Sequence, residues 1–319
     1  MEQEQRFREK YENQVLPFYH SGRFGEFSGV GGLKISTVVF HKEDGSGALL
    51  ILPGKSETYL KYAELFYDLQ DLPLSLYAMD HRGMGFSERP LPDRLKMHVE
   101  RFGQYVEDLA TFIDTVVKPD GHQNLYLLGH STGALIAALY MEQHPETFRA
   151  GVLCSPLFDV AVGPVPGFVT RTLVRLLDRP GRKEQYGPGQ RDIKRPDFRN
   201  NNISSSYPRW SLWEEQIIPN TEAIQFGGVT NHWLRESLMA GQRAVREAGK
   251  IKVPLLLLQA RQDSIVKLGA QDRFCRRAPG CTKLPIQGAK HEILIEEEKT
   301  RAEAIARIKG FLAGQLKQL

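Results

Sequence analysis

Five consecutive residues, Gly129-His130-Ser131-Thr132-Gly133, place a serine between two glycines. A serine hydroxyl attacks a carbonyl only when a base takes its proton and donors receive the developing oxyanion. Of the 9 His, most have ordinary readings. His130 lies inside the turn and is expected to point elsewhere, and His41, His98, His122 and His144 flank turns or helix ends. His291 differs, because it closes the loop Gln287-Gly288-Ala289-Lys290-His291 after an extended run, Lys283 to Ile286. The base in turn needs an acid to fix its tautomer and stabilise the imidazolium. Asp263 stands in the matching loop one strand earlier, after Leu255 to Leu258, whereas Asp272 reads as helical and Glu292 adjoins the histidine itself. Ser131, His291 and Asp263 thus read as nucleophile, base and acid of an acyl-transfer site. Its oxyanion donors are expected to be the backbone N–H groups of Thr132 and of Lys55, the latter in the loop Pro53-Gly54-Lys55-Ser56-Glu57. The competing readings are plain helix caps by Ser131 and by Ser56.

Such a site needs strands that end side by side. Leu33 to Phe40, Ala48 to Leu52, Leu74 to Met79, Leu125 to Leu128, Gly151 to Cys154, Leu255 to Leu258 and Lys283 to Ile286 are predicted strands. Helical spacing runs over Glu57 to Leu69, Phe102 to Val117, Ala134 to Met141, Leu268 to Arg277 and Arg301 to Lys317. Strands alternating with helices imply a doubly wound, mostly parallel sheet covered on both faces. Ser131 then falls on a strand-to-helix turn, and Asp263 and His291 fall at carboxyl ends of strands, where such sheets hold ligands. The chain order serine, aspartate, histidine is that of the α/β-hydrolase fold.

The alternation stops between Ser155 and Gly249. Gly167 to Leu177 and Trp233 to Glu247 read as helices, and Arg179 to Arg209 is rich in Pro, Gly, Asn and Arg. The expected organisation is a core of residues 1–154 and 250–319 with a helical cap insertion at 155–249. Asp80-His81-Arg82-Gly83-Met84-Gly85 lacks the G-x-G-x-x-G spacing of a dinucleotide fingerprint and reads as a structural loop. Neither H-E-x-x-H nor C-x-x-C occurs, so neither a metal nor a cofactor is expected.

Composition is that of a globular chain, with 41% hydrophobic and 25% charged residues. A net charge of +4 is too small to indicate a nucleic-acid binder. Met1 to Lys10 has no apolar stretch of the secretory type, and no run approaches a membrane span, which points to the cytoplasm or the inner face of a membrane. Three cysteines are too few for a disulfide framework. Spacing permits a Cys275–Cys281 bridge, but the reducing compartment implied by the rest of the chain argues against it.

Several of these runs together resemble a known family. Pro53-Gly54, Tyr59-Leu60-Lys61-Tyr62-Ala63-Glu64-Leu65, Asp80-His81-Arg82-Gly83, Gly129-His130-Ser131 and His291-Glu292-Ile293-Leu294 are similar to bacterial lysophospholipases related to monoacylglycerol lipases. His232-Trp233-Leu234-Arg235-Glu236-Ser237, Ala240-Gly241 and Arg273-Phe274-Cys275 extend the resemblance from about Phe24 to the C-terminal helix. It implies a serine esterase acting on single-chain lipids, with Ser131, Asp263 and His291 as its triad. Related lipases commonly have His-Gly where this chain has Pro53-Gly54.

The expected reaction is hydrolysis of the fatty-acyl ester of a lysophospholipid. A monoacylglycerol lipase or broad carboxylesterase is the alternative, and a non-catalytic lipid-binding protein is disfavoured by the intact triad. A peptidase would need an acidic patch to hold a substrate amine, whereas Pro164 to Trp210 holds ten basic residues against four acidic, a surplus of +6. That surplus, interleaved with apolar residues, is expected to meet an anionic membrane surface peripherally. Phe168, Trp210, Trp213, Phe226 and Trp233 are the expected aromatic lining of the acyl pocket or the cap.

Overall fold

The computed structural model describes residues 2–43, 45–161, 167–192 and 197–317; side chains are described from residue 4, and in the last two segments from residue 172. Its centre is an 8-stranded sheet in the order β1-β2-β4-β3-β5-β6-β7-β8. The strands are β1 (Arg23–Ser28), β2 (Lys34–Phe40), β3 (Gly47–Leu52), β4 (Leu74–Met79), β5 (Leu125–His130), β6 (Ala150–Cys154), β7 (Leu255–Ala260) and β8 (Cys281–Ile286). From β4 through β8 every neighbour pairs in parallel, while β1 and β2 pair antiparallel at one edge. The chain is therefore an α/β protein with a mostly parallel sheet, as the alternation implies.

Helices α1 (Glu2–Lys10) and α2 (Leu16–His20) precede the sheet. Helix α3 (Ala63–Leu69) follows β3, α4 (Gly103–Phe112) follows β4, and α5 (Thr132–Gln143) follows β5. Between β6 and β7 come α6 (Gly167–Leu177), α7 (Tyr207–Ser211), α8 (Ile218–Asn220) and α9 (Asn231–Glu247), with no sheet strand among the described residues. Helix α10 (Leu268–Arg277) connects β7 to β8, and α11 (Glu298–Leu316) closes the chain.

The central strands are buried on both faces, so they read as unbroken apolar runs with alternate residues serving different cores. Leu50, Leu52 and Leu127 face the core under α4, α5 and α9, whereas Leu49, Ile51 and Leu128 face the core under α3 and α11. Strand order reverses between β3 and β5: the chain crosses from β3 to β4 on one side and β5 joins β3 on the other. A crevice opens at such a switch point beyond the strands' carboxyl ends. The loops that follow β3 and β5 meet there.

Edge strand β1 has no sequence prediction behind it. Its residues are largely exposed, and Arg23-Phe24-Gly25-Glu26-Phe27-Ser28 carries little apolar alternation. The predicted helix from Glu57 begins later, as a 3-10 turn at Tyr59–Tyr62 leading into α3, because Ser56 takes φ 59° and Thr58 caps with its side chain. The expectation that the cysteines stay unpaired needs correction. Helix α10 ends at Arg277 and a short turn brings Cys281 back beside Cys275, with Cα atoms 5.2 Å apart and a disulfide between them. The pairing removes cysteine usage as an argument for a reducing compartment. No described helix is long and apolar enough to cross a membrane.

Candidate active site

Ser131 lies between the end of β5 and the start of α5, at φ 50° and ψ −110°. L-residues seldom adopt such a backbone, and it persists only where the surroundings enforce it. Here the two flanking glycines let strand, helix and β3 come together. A Cβ on Gly133 would stand 2.2 Å from the Leu52 carbonyl oxygen, and one on Gly129 would stand 2.6 Å from the Ala134 nitrogen. The Ser131 N–H donates to the Cys154 carbonyl at 2.9 Å, and its own carbonyl accepts from Leu135 and Leu157, each at 3.1 Å. The turn is thus held by β6 and α5 together.

The structure brings the three residues singled out in sequence into one chain of hydrogen bonds. His291 Nε2 lies 2.9 Å from Ser131 Oγ, and His291 Nδ1 lies 2.7 Å from Asp263 Oδ2. The Asp263 side chain is fully buried, and its other oxygen accepts from the N–H groups of Ile265 at 2.8 Å and Val266 at 3.1 Å. Burial works to raise the Asp263 pKa. The His291 hydrogen bond and charge, helped by the two N–H donors, outweigh it and leave the carboxyl below its ordinary value. An ionised Asp263 fixes the proton on Nδ1 and leaves Nε2 to accept from the serine. Asp272 takes no part: it lies on α10 and bonds to Lys283 and Gln259.

Thr132 opens α5, so its N–H has no carbonyl one turn earlier to bond and lies at the positive end of the helix. The loop carrying Lys55 is clamped from several sides. Glu57 Oε2 accepts from the Gly54 N–H at 2.5 Å and from the Tyr62 hydroxyl at 2.6 Å. Asp80 accepts from Thr58 Oγ1 at 2.8 Å and the Tyr59 N–H at 2.6 Å, and His81 Nε2 lies 2.9 Å from the Pro53 carbonyl. Burial pushes Asp80 up to about 7 and His81 down to about 4, so the His81 ring bonds Pro53 as a neutral donor at neutral pH. The Asp80 loop is therefore the brace of the loop after β3.

His130 points away from the serine hydroxyl and has a role that the sequence does not assign. It is buried, with Nδ1 3.2 Å from Glu57 Oε2 and Nε2 3.2 Å from the His291 carbonyl oxygen. Both partners are acceptors, which calls for a proton on each ring nitrogen. Burial opposes that charge, but Glu57 and the acceptor at His291 prevail and raise the His130 pKa. Glu57 is held well below the carboxylate range: burial works to raise it, and the charges of Lys61 and His130 overcome this. One buried carboxylate thus links the loop after β3, the serine turn and the histidine loop. Sequence reading misses it because Glu57 stands 73 residues from His130.

A cavity of about 270 Å³ opens at Ser131 and His291. Its lining is apolar at Leu157, Val160, Trp233, Leu234, Leu238 and Ile265. It is charged at Lys55, Glu57, Lys61, Asp159, Glu214 and Glu292. Lys61 lies 2.5 Å from Glu292 and 3.3 Å from Glu57, and its ammonium sits 5.6 Å from the Trp213 ring centre. Of the expected aromatic lining, Trp213 and Trp233 face this cavity. Trp210 packs instead against Phe198 and Tyr207, and Phe226 stacks under Arg89. The Phe168 side chain lies outside the described residues. A periodicity reading of α9 finds Leu234 and Leu238 as apolar positions but cannot tell cavity wall from core.

A strained serine at a strand-to-helix turn, with histidine and aspartate from the next strand ends, defines a serine hydrolase of the α/β-hydrolase fold. Residues 43–298 match the model of the family described as serine aminopeptidase, S33, and the chain belongs to that family. Among curated relatives, lysophospholipase L2 of Escherichia coli (strain K12) is 34% identical over 305 residues, covering 93% of this chain and 89% of that protein. The probable lysophospholipase L2 of Haemophilus influenzae is 30% identical over 302 residues, covering 94% and 95%. Among solved structures, a soluble variant of monoglyceride lipase from Saccharomyces cerevisiae, in complex with a substrate analog, superposes with a TM-score of 0.70. It is 17% identical and covers 92% of this chain and 96% of that one, so the likeness is one of fold.

Proposed function

We propose that this chain hydrolyses the fatty-acyl ester of single-chain lipids, lysophospholipids above all, through an acyl-enzyme on Ser131. The observation that carries the reading is His291, bonded to both Ser131 and Asp263 in the wall of a cavity lined by apolar and charged residues. Ser131 Oγ attacks the acyl carbonyl as His291 Nε2 takes its proton. The Thr132 and Lys55 N–H groups receive the oxyanion. Collapse of the tetrahedral intermediate expels the glycerol oxygen, which takes the proton back from His291. Water then repeats the sequence on the acyl-enzyme, releasing fatty acid and free Ser131. The acyl chain lies along Leu157, Trp233, Leu234 and Leu238, and the headgroup faces the charged residues.

Residues 155–249 act as the cap over this site. His232 ties it down, with Nδ1 2.8 Å from Asp178 Oδ1 and Nε2 2.8 Å from the Glu100 carbonyl. Peripheral contact with an anionic surface is supported by α6, where Leu173 and Leu176 are 47% and 49% exposed beside exposed Arg175 and Arg179. Not all the basic surplus serves that contact: Arg209 is buried and paired with Glu64 and Glu298.

A monoacylglycerol lipase is the second reading, favoured by the Glu57–Lys61–Glu292 cluster, whose oxygens and ammonium suit glycerol hydroxyls. A mass-spectrometric hydrolysis screen over lysophospholipids and monoacylglycerols of matched chain length tests the two. Higher kcat/KM on the phosphorylated lipids supports the first reading, and the reverse order establishes the second. No turnover of either class removes both.

A further inference from the structure

The charged lining of the cavity holds two opposite charges that the chain leaves unmatched. Lys61 is neutralised by Glu57 and Glu292. Lys55 is not: its ammonium donates to Ser56 Oγ at 3.1 Å, and no carboxylate among the described residues forms an ion pair with it. Glu214 lines the same cavity and makes no hydrogen bond or ion pair among the described residues. Burial pulls the Lys55 pKa down against the attraction of Glu57, and burial pushes the Glu214 pKa up against the pull of Lys61. Half-buried charges without partners cost free energy, and a ligand that supplies the missing partners recovers it. The two groups do not pair with each other, so what fits between them is a ligand carrying both signs.

We propose that Lys55 and Glu214 are the headgroup readers of the substrate, the Lys55 ammonium binding a phosphate and the Glu214 carboxylate binding an amine on that phosphate. The inference rests on the reading of the chain as a single-chain lipid esterase. It deepens that reading by assigning the phosphate-versus-glycerol choice to two side chains. Position favours the assignment, because Lys55 also supplies the N–H placed at the oxyanion. Its side chain therefore starts beside the scissile carbonyl, and the phosphate of a glycerophospholipid lies a few bonds from the acyl ester. A lysine meets a phosphate as a point charge and tolerates varied phosphate orientations. Glu214 follows Trp213, which stands beside Lys61 beyond Lys55 along the chain, so the outer end of the headgroup falls to it.

The test is kcat/KM on three substrates of one short acyl chain: a lysophosphatidylethanolamine, a lysophosphatidylglycerol and a monoacylglycerol. Wild type, Lys55→Gln, Lys55→Arg and Glu214→Gln are compared. For Lys55→Gln, both phosphorylated substrates are expected to fall on the order of tenfold or more relative to the monoacylglycerol, the loss of one charge-assisted contact. Lys55→Arg restores most of that ratio. Glu214→Gln lowers the ethanolamine lipid relative to the phosphoglycerol lipid by a similar factor. Ratios are the readout, since loosening the loop after β3 would slow all three substrates equally. Equal factors on all three substrates for both variants would overturn the assignment and leave the esterase reading standing. A wild type that hydrolyses none of the three overturns both.

Discussion

Replacing Glu57 by glutamine tests whether the buried carboxylate positions the site. Glu57 Oε2 accepts from the Gly54 N–H, the Tyr62 hydroxyl and His130, and Oε1 lies 3.3 Å from Lys61. A glutamine oxygen placed at the Oε2 position turns its NH2 toward the Lys61 ammonium, donor against donor. The reverse orientation sets that NH2 against three donors. The better orientation still reduces three charge-assisted bonds to neutral ones and loses the fourth. At about 1 kcal/mol for each weakened bond and 1–3 kcal/mol for the lost one, the variant is destabilised by roughly 4–6 kcal/mol. A Tm lowered by roughly 5–10 °C follows for a chain of this size. The same change weakens the hold on Gly54 and removes the anion that keeps His130 charged against the His291 carbonyl. A misplaced oxyanion donor costs ~10²–10³ in kcat. The assay is hydrolysis of a short soluble ester, well below the variant's Tm, so that lipid binding and unfolding do not enter. A fall in both Tm and kcat with KM little changed supports the positioning role. Wild-type kcat in a folded Glu57→Gln enzyme would refute it, even if Tm fell.

Other perturbations follow from single features. Asp263→Asn should cost ~10⁴ in kcat by disturbing the His291 tautomer, whereas Asp272→Asn, which touches only Lys283 and Gln259, should stay within a few-fold of wild type in the same ester assay. Gly133→Ala would put a methyl 2.2 Å from the Leu52 carbonyl oxygen; loss of soluble folded protein, or of nearly all activity, is expected in circular dichroism and ester turnover. Glu142 is buried with neither carboxylate oxygen bonded, and burial, then Glu247, raises its pKa to about 8. Its folded pKa exceeds the unfolded one, so its contribution to stability is complete below the unfolded carboxylate range and is lost as pH rises toward about 8. Glu142→Gln should therefore raise Tm most at alkaline pH and little at pH ~5; a constant difference across that range contradicts the assignment. Arg175→Glu with Arg179→Glu should weaken co-sedimentation with anionic vesicles at low salt and leave short-ester hydrolysis unchanged. Equal binding of wild type to neutral and anionic vesicles would reduce α6 to a solvated surface.

Ser131, Asp263 and His291 are legible because each stands in the connection that follows a recognisable strand, β5, β7 and β8. The carboxyl ends of parallel strands lie along one edge of the sheet, so three local patterns lead to one site. The order of helices and strands was legible for the same reason, since buried parallel strands carry continuous apolar runs. What escaped was built from residues distant in sequence. Lys61 and Glu292 are 231 positions apart, and no local pattern marks either as a partner of the other. His130 shows in sequence only as a turn residue pointing away from the nucleophile, and its partners Glu57 and His291 lie far along the chain. The edge strand β1 has mostly exposed residues and therefore no hydrophobic period to detect. The Cys275–Cys281 bridge was judged by compartment when local geometry decided it: a helix end and a turn return the chain to the same place. Aromatic residues between β6 and β7 were named by type, and only Trp213 and Trp233 turned out to face the cavity among those with described side chains.

In the proposed reaction Ser131 forms the acyl-enzyme under the control of His291 and Asp263. The most direct measurement is intact-protein and peptide mass spectrometry after reaction with a fluorophosphonate carrying a single alkyl chain. One adduct is expected on the peptide that contains Ser131, none in Ser131→Ala, and labelling slowed by several orders of magnitude in His291→Ala. An adduct on any other residue, or labelling of Ser131→Ala at the wild-type rate, would contradict it.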